Sequence, residues 1–188
     1  TTPISPIPQK AYTAVKLTEC APLFENLDAL CSSVTAKWPM TMEELHQDYG
    51  FVLYRTRIPA VTQELPLTVS EVHDRAMVWA DGTYLGLIDR STGQTDEMTV
   101  SAPQTDVQLD ILVENLGRIN YGPYILDEKG IVGRVSVGLQ NLYDYTMYPL
   151  SLKDLSGLAY RAATLEDKPT FYKGVLMADE PCDTFIDV

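Results

Sequence analysis

Residues 75–89 read RAMVWADGTYLGLID, two apolar-rich runs (Arg75 to Ala80 and Thr83 to Asp89) joined by Asp81-Gly82. That dipeptide tolerates positive φ at both central turn positions, so the twist of a two-residue turn can match the twist of its strands. The stretch therefore predicts an antiparallel hairpin. Outward from it the period stays near two. Phe51 to Ile58 (FVLYRTRI) is rich in branched and aromatic residues and is stopped by Pro59. Val107, Leu109, Ile111 and Val113 alternate with Gln108, Asp110 and Glu114, which predicts a strand with one buried and one mostly wet face; Leu112 is the exception on the polar side. Ile131, Gly133, Val135, Val137 and Leu139 repeat the pattern, and Tyr143 to Met147 reads as a further strand. Short strands between turn residues, with little helical periodicity, define the expected fold class: all-β, an antiparallel β-sandwich or jelly roll with one or two short helices.

The flanks are less regular. Ala11 to Leu17 alternates well enough for a strand, and residues 21–38 look irregular. Thr41 followed by Glu44 after Pro39 is a capping box, predicting a helix that Gly50 keeps short. Ser151 to Asp154 reads as a helical turn, residues 156–168 as a polar loop, and Phe171 to Met177 as a new strand.

With 188 residues, 45% of them hydrophobic and 21% charged, the chain has the composition of a globular protein with a real core. Its 14 Lys and Arg against 26 Asp and Glu give a formal charge of −12. Such a surface repels phosphate backbones and anionic lipid, so neither nucleic acid nor membrane is an expected partner. The three cysteines (Cys20, Cys31, Cys182) and two histidines (His46, His73) have no metal-ligand spacing, and no metal or cofactor is expected. No phosphate-binding loop, nucleophile elbow or zinc-protease helix is present. In His73-Asp74-Arg75 neighbouring side chains of a strand point to opposite faces, so an ion pair of Arg75 with Asp74 or with an adjacent strand is expected rather than a catalytic triad.

In order along the chain, QDYGFVLYRT (47–56), VHDRA (72–76) with Asp81-Gly82, LVENLGRINYG (112–122), Lys129-Gly130-Ile131, Tyr148-Pro149-Leu150, PTFYKG (169–174) and DTFI (183–186) resemble the family 35 glycoside hydrolases, the β-galactosidases. The collinear likeness runs over roughly residues 10–188 and is closest from 47 to 150. It implies a galactose-binding-like sandwich region lying outside the catalytic (β/α)₈ barrel of a retaining, exo-acting enzyme. That barrel would carry the two carboxylates, about 5–5.5 Å apart, that remove terminal β-linked galactose. The expected organisation is a Pro-rich linker from the barrel at 1–9, a connecting segment with a strand at 10–40, a first sandwich domain at 41–150, a linker at 151–168 and the start of a second sandwich at 169–188. The expected partners are the barrel and second sandwich of the same parent chain, together with galactosides, and open strand edges invite self-association.

On this reading the chain is an accessory region without catalytic residues of its own. The alternative is a stand-alone galactoside-binding module. The resemblance implies that an aromatic side chain of the first sandwich reaches the barrel mouth; Tyr121 is the first candidate and Tyr124 the second, since a tyrosine ring stacks on a sugar's C–H face while its hydroxyl donates. Trp79 and Tyr84, flanking the hairpin turn, form a stacking platform if exposed and core if buried; the apolar run around Trp79 favours core. Asn115, Arg118 and Asn120 are expected to build the loop that carries Tyr121.

Overall fold

A computed structural model describes residues 11–12, 14–102 and 104–179. Strand β1 (Leu17–Pro22) leads into a 3-10 turn at Leu23–Glu25, helix α1 (Leu27–Leu30) and β2 (Val34–Ala36). Then follow β3 (Phe51–Ile58), β4 (Val61–Val69), β5 (Val72–His73), β6 (Arg75–Ala80), β7 (Thr83–Asp89), β8 (Gln94–Thr95), β9 (Met98–Ala102) and β10 (Val107–Glu114). The last strands are β11 (Gly130–Ile131), β12 (Val135–Val137), β13 (Gln140–Asn141), β14 (Tyr145–Leu150), β15 (Arg161–Ala162) and β16 (Thr170–Gly174).

Seven strands in the order β2-β14-β3-β10-β6-β7-β8 form one sheet and β13-β12-β4-β9 form another. All the pairings are antiparallel, so the fold is an all-β sandwich. The hairpin opens the seven-stranded sheet with Asp81 at φ +44° and Gly82 at φ +77°, both turn residues in the left-handed region. Tyr54, Val78, Leu109, Ile111 and Met147 from this sheet meet Leu67, Val100, Val135 and Val137 from the other in one buried core. Gly130 lies against that core at φ +103°, and any side chain there would collide with the Tyr54 hydroxyl. That hydroxyl donates to Met40 O (2.8 Å) and accepts from Ile131 N (3.3 Å), fixing the approach to β11.

The opposite face of the seven-stranded sheet is not the wet surface that the alternation in β10 suggested. Leu112 sits across from Leu53 on one side and Met77 on the other. These join Trp79 and Leu150 in a second core, roofed by Leu23, Leu27 and Phe171. Asp110, on the same face, is also buried, and it takes Arg55 Nε at 2.7 Å and Arg55 Nη2 at 3.2 Å. The strand therefore has two buried faces, and the apparent exception at Leu112 belongs to the second one.

The roof comes from the flanks. β1 pairs with β15 and β16 in a small sheet of order β15-β1-β16, with Leu17 opposite Gly174 and Pro22 opposite Thr170. The strand expected at Ala11 to Leu17 begins instead at Leu17 and runs to Pro22. Residues 21–38 hold a 3-10 turn, a helix and a strand rather than irregular chain. After Thr41 the capping box forms, Thr41 N to Glu44 Oε2 at 2.8 Å and Glu44 N to Thr41 Oγ1 at 3.3 Å, but only a single turn follows, because His46 takes φ +56°. No helical turn forms at Ser151 to Asp154, where Leu152 has φ +55°. The strand expected from Tyr143 starts at Tyr145 and continues to Leu150. The linker at 1–9, Cys182 and the segment 183–188 lie outside the described residues.

Leu112→Ala is expected to lower the unfolding free energy by about 2–4 kcal/mol in a urea titration, the loss typical of a buried leucine. A change under about 0.5 kcal/mol would mean that this face is open to solvent.

Candidate functional site

The chain leaves the seven-stranded sheet at Glu114 and becomes extended again at Gly130, where β11 pairs with β5 in a two-stranded sheet, and the loop between carries most of the polar candidates. Its return end is fixed by a buried ammonium. Lys129 Nζ donates to both oxygens of Asp74 (2.9 and 3.0 Å) and to Asp127 Oδ2 (2.9 Å). Arg90 reaches both Asp127 oxygens at 2.9 Å. His73 Nδ1 lies 2.8 Å from Glu128 O; a carbonyl only accepts, so this nitrogen carries the proton. Desolvation raises the Asp127 pKa, but the hydrogen bonds from Lys129 and Arg90 outweigh it and hold the carboxyl below its ordinary range.

The outgoing end is fixed separately. Leu116 N donates to Asp74 Oδ2 (2.9 Å), so Asp74 ties the two ends together. Asn115 donates from Nδ2 to Asp48 O (3.2 Å) and accepts from Gly117 N (2.9 Å), forming a local turn. Arg118 donates from Nε to Asp48 O (2.8 Å), from Nη2 to Gln47 O (3.2 Å) and from Nη1 to Glu43, whose other oxygen accepts from Lys129 N (2.9 Å). Burial raises the Glu43 pKa, and the bonds from Arg118 and Lys129 bring it below the usual value. Asn120 is exposed at the tip.

With both ends tied, the loop presents apolar surface to solvent. Tyr121 is 89% exposed, Tyr124 74%, Ile125 58% and Leu126 89%, with Leu116 and Ile119 beside them. Trp79 and Tyr84 sit elsewhere, at the hairpin end of the sheet, and the structure does not bring them to Tyr121. Trp79 is buried edge-on against Phe24 (ring centroids 5.3 Å apart, planes at 84°) and 5.6 Å from Tyr84, which is half-exposed.

This geometry can be set against known proteins. The family described as "Beta-galactosidase, first all-beta domain" matches residues 39–151, which span the sandwich strands from β3 to β14 and the loop. The chain belongs to that family. Its relatives include β-galactosidase of Homo sapiens (37% identity over 98% of this chain and 31% of that protein) and β-galactosidase of Xanthomonas manihotis (33% over 98% and 30%). β-Galactosidase 1 of Dictyostelium discoideum is 34% identical over 96% of this chain. The chain thus spans about a third of the length of the relatives it matches.

In this β-galactosidase domain the acids at the base of the loop are paired with cations. Asp127 and Glu43 are held ionised by cations, so neither is poised to carry a proton near neutral pH. Among the described residues no group of three His, Cys, Asp or Glu side chains is arranged to hold a metal ion, and no helix is long and apolar enough to cross a membrane. Arg75 pairs across the sheet with Glu114 of β10, and Asp74 is left to Lys129. Sequence reading missed the role of Lys129, because its partner Asp74 lies 55 positions away. It also missed a cluster around Tyr143, at the far end of the seven-stranded sheet, whose members come from three separate connections between strands.

Lys129→Met is expected to cost about 3–5 kcal/mol in urea unfolding, since it strands two buried carboxylates, whereas Lys168→Met on the surface changes little. Because the folded-state pKa of Asp127 is depressed, its contribution to stability is complete above the ordinary carboxylate pKa and disappears as pH falls through the lowered value. Asp127→Asn should therefore reduce stability at neutral pH and flatten its decline below about pH 4, as followed by thermal unfolding across pH.

Proposed function

We propose that this chain is the accessory β-region of a retaining, exo-acting β-galactosidase, supporting a catalytic barrel and shaping the entrance to its site. The parent would hydrolyse terminal β-linked galactose with carboxylates that the barrel supplies. The observation that carries this reading is the 115–129 loop: one end is fixed by the buried Lys129–Asp74 ion pair and the other by hydrogen bonds from Leu116 and Arg118, while Tyr121, Tyr124, Ile125 and Leu126 stand out in solvent. Exposed side chains of this size on a rigid base fit a surface that another domain covers. A tyrosine at such a contact can close the leaving-group side of a sugar site, its ring against C–H bonds and its hydroxyl donating. Within the longer protein, Tyr121 and then Tyr124 are the residues that would meet substrate, and Asn115, Arg118 and Asn120 would hold their loop.

Other residues support the same assignment of roles. Trp79 is core rather than a platform in the free domain, so a galactoside-binding module built on Trp79 and Tyr84 has little to stack on. The pairing of β1 with β16 packs the flanks against the sandwich, which suits a region that spaces and orients its neighbours.

In the full-length enzyme Tyr121→Ala is expected to raise KM for lactose about tenfold, with the unfolding midpoint unchanged. An unaltered KM and an unaltered ratio of hydrolysis to transglycosylation would remove Tyr121 from the site entrance.

A further inference from the structure

At the end of the sheet away from the 115–129 loop, the β13–β14 turn carries an aromatic side chain that is both exposed and fixed. Tyr143 is 39% exposed. Its ring lies 4.6 Å from that of Trp38 with planes at 64°, and Lys37 Nζ stands 5.5 Å from its centroid. Arg134 in turn covers Trp38, with Cζ 5.4 Å from the indole. The backbone is held as well, since the buried Thr56 hydroxyl donates to Tyr143 O at 2.7 Å.

Tyr143 separates two open clefts. One, of about 540 Å³, is lined by Arg57, Gln108, Asp144 and Thr146. The other, of about 690 Å³, is lined by Gln63, Leu65 and Leu139. Gln140 and Asn141 line both. Gln108 is committed to Asp110 (2.9 Å), and Asp110 to Arg55. The side chains of Arg57, Gln63, Gln140 and Asn141 have no hydrogen-bond partner among the described residues. A preorganised ring flanked by planar amides and a guanidinium suits a ligand that shows C–H bonds on one side and pairs of hydroxyls at its edge. Galactose has that shape: its axial 4-hydroxyl leaves the C3, C4 and C5 hydrogens together on one face. Two clefts sharing the same amides leave room for sugar units on both sides of the ring.

We propose that the Tyr143 ridge, with Asn141, Gln140 and Arg57, is a binding site for β-linked galacto-oligosaccharides. It lies away from the 115–129 loop: Arg57 is six residues along β3 from Phe51, which pairs with Glu114 at the start of that loop, a span of roughly 20 Å. Its occupancy does not depend on the role proposed for Tyr121. The site would hold a galacto-oligosaccharide chain at the end of the sheet opposite the 115–129 loop.

The test is isothermal titration of the 188-residue chain with galactose, lactose and a β-linked galactotetraose, with tryptophan emission followed in parallel. The chain has two tryptophans, and half-exposed Trp38 touches Tyr143 while Trp79 is buried. The tetraose is expected to saturate, to bind more tightly than galactose and to change the emission. Tyr143→Ala and Asn141→Ala should each weaken it about tenfold, and Lys153→Ala, on the surface at the other end of the sheet, should leave it unchanged. The half-buried Asn141 side chain makes no hydrogen bond among the described residues, so that variant reads binding with little change in folding. Absence of saturable binding by the tetraose, or affinity untouched in both Tyr143→Ala and Asn141→Ala, would overturn the proposal.

Discussion

The ladder between β3 and β10 is the constraint on which the rest of the molecule depends. Eight consecutive residue pairs, from Val107 with Ile58 to Glu114 with Phe51, run without a register shift. Each strand is buried on both faces, Tyr54 and Ile111 toward the four-stranded sheet and Leu53 and Leu112 toward the flanking roof. A one-residue slip would exchange these two sets and place Asp110 and Arg55 in the wrong core, so the register is specified twice. What hangs from the two ends of this ladder is therefore held at a set separation, the 115–129 loop at one end and the Tyr143 turn at the other. A rigid pair of strands is a better base for a contact surface than loops alone.

Electrostatics works locally in a chain whose overall charge is −12. Most of that charge is solvated, but Lys129, with Arg90 beside it, sits between Asp74 and Asp127, and Arg55 holds the buried Asp110. A buried pair of this kind adds little net stability over an apolar replacement, because desolving the charges offsets their attraction. What it contributes here is position. Asp74 receives Lys129 from one end of the loop and Leu116 N from the other, so an otherwise exposed segment has a closed base.

Much of the sandwich could be read from alternation. The hairpin at Asp81-Gly82 and the bounds of β3, β6, β7 and β10 follow from period-two patterning and from turn residues that act within a few positions. The second core could not be read that way, because a strand buried twice shows only an irregular period; Leu112 was its single visible sign. β4 escaped notice because Pro66 and the polar run Thr62-Gln63-Glu64 break its pattern, although it lies between β12 and β9. The capping box at Thr41 forms with its expected bonds, yet the positive φ of His46 ends the helix after one turn. Of the site residues, Asn115 and Arg118 were visible as loop builders, while Lys129 and the Tyr143 cluster depend on contacts between distant segments that one sequence does not display.

The small sheet β15-β1-β16 has a further consequence, a mechanical one. Leu17 faces Gly174, so the chain leading into β1 and the chain leaving β16 emerge side by side at one end of the pair. Tension between those two chains would load the β1–β16 hydrogen bonds one after another from that end, as a zipper opens, rather than all at once in shear. Because the roof over Leu53 and Leu112 is tied to those strands through Leu23 and Phe171, such a pull would open the second core first. The β3–β10 ladder, and the two surfaces it spaces, would be reached only afterwards.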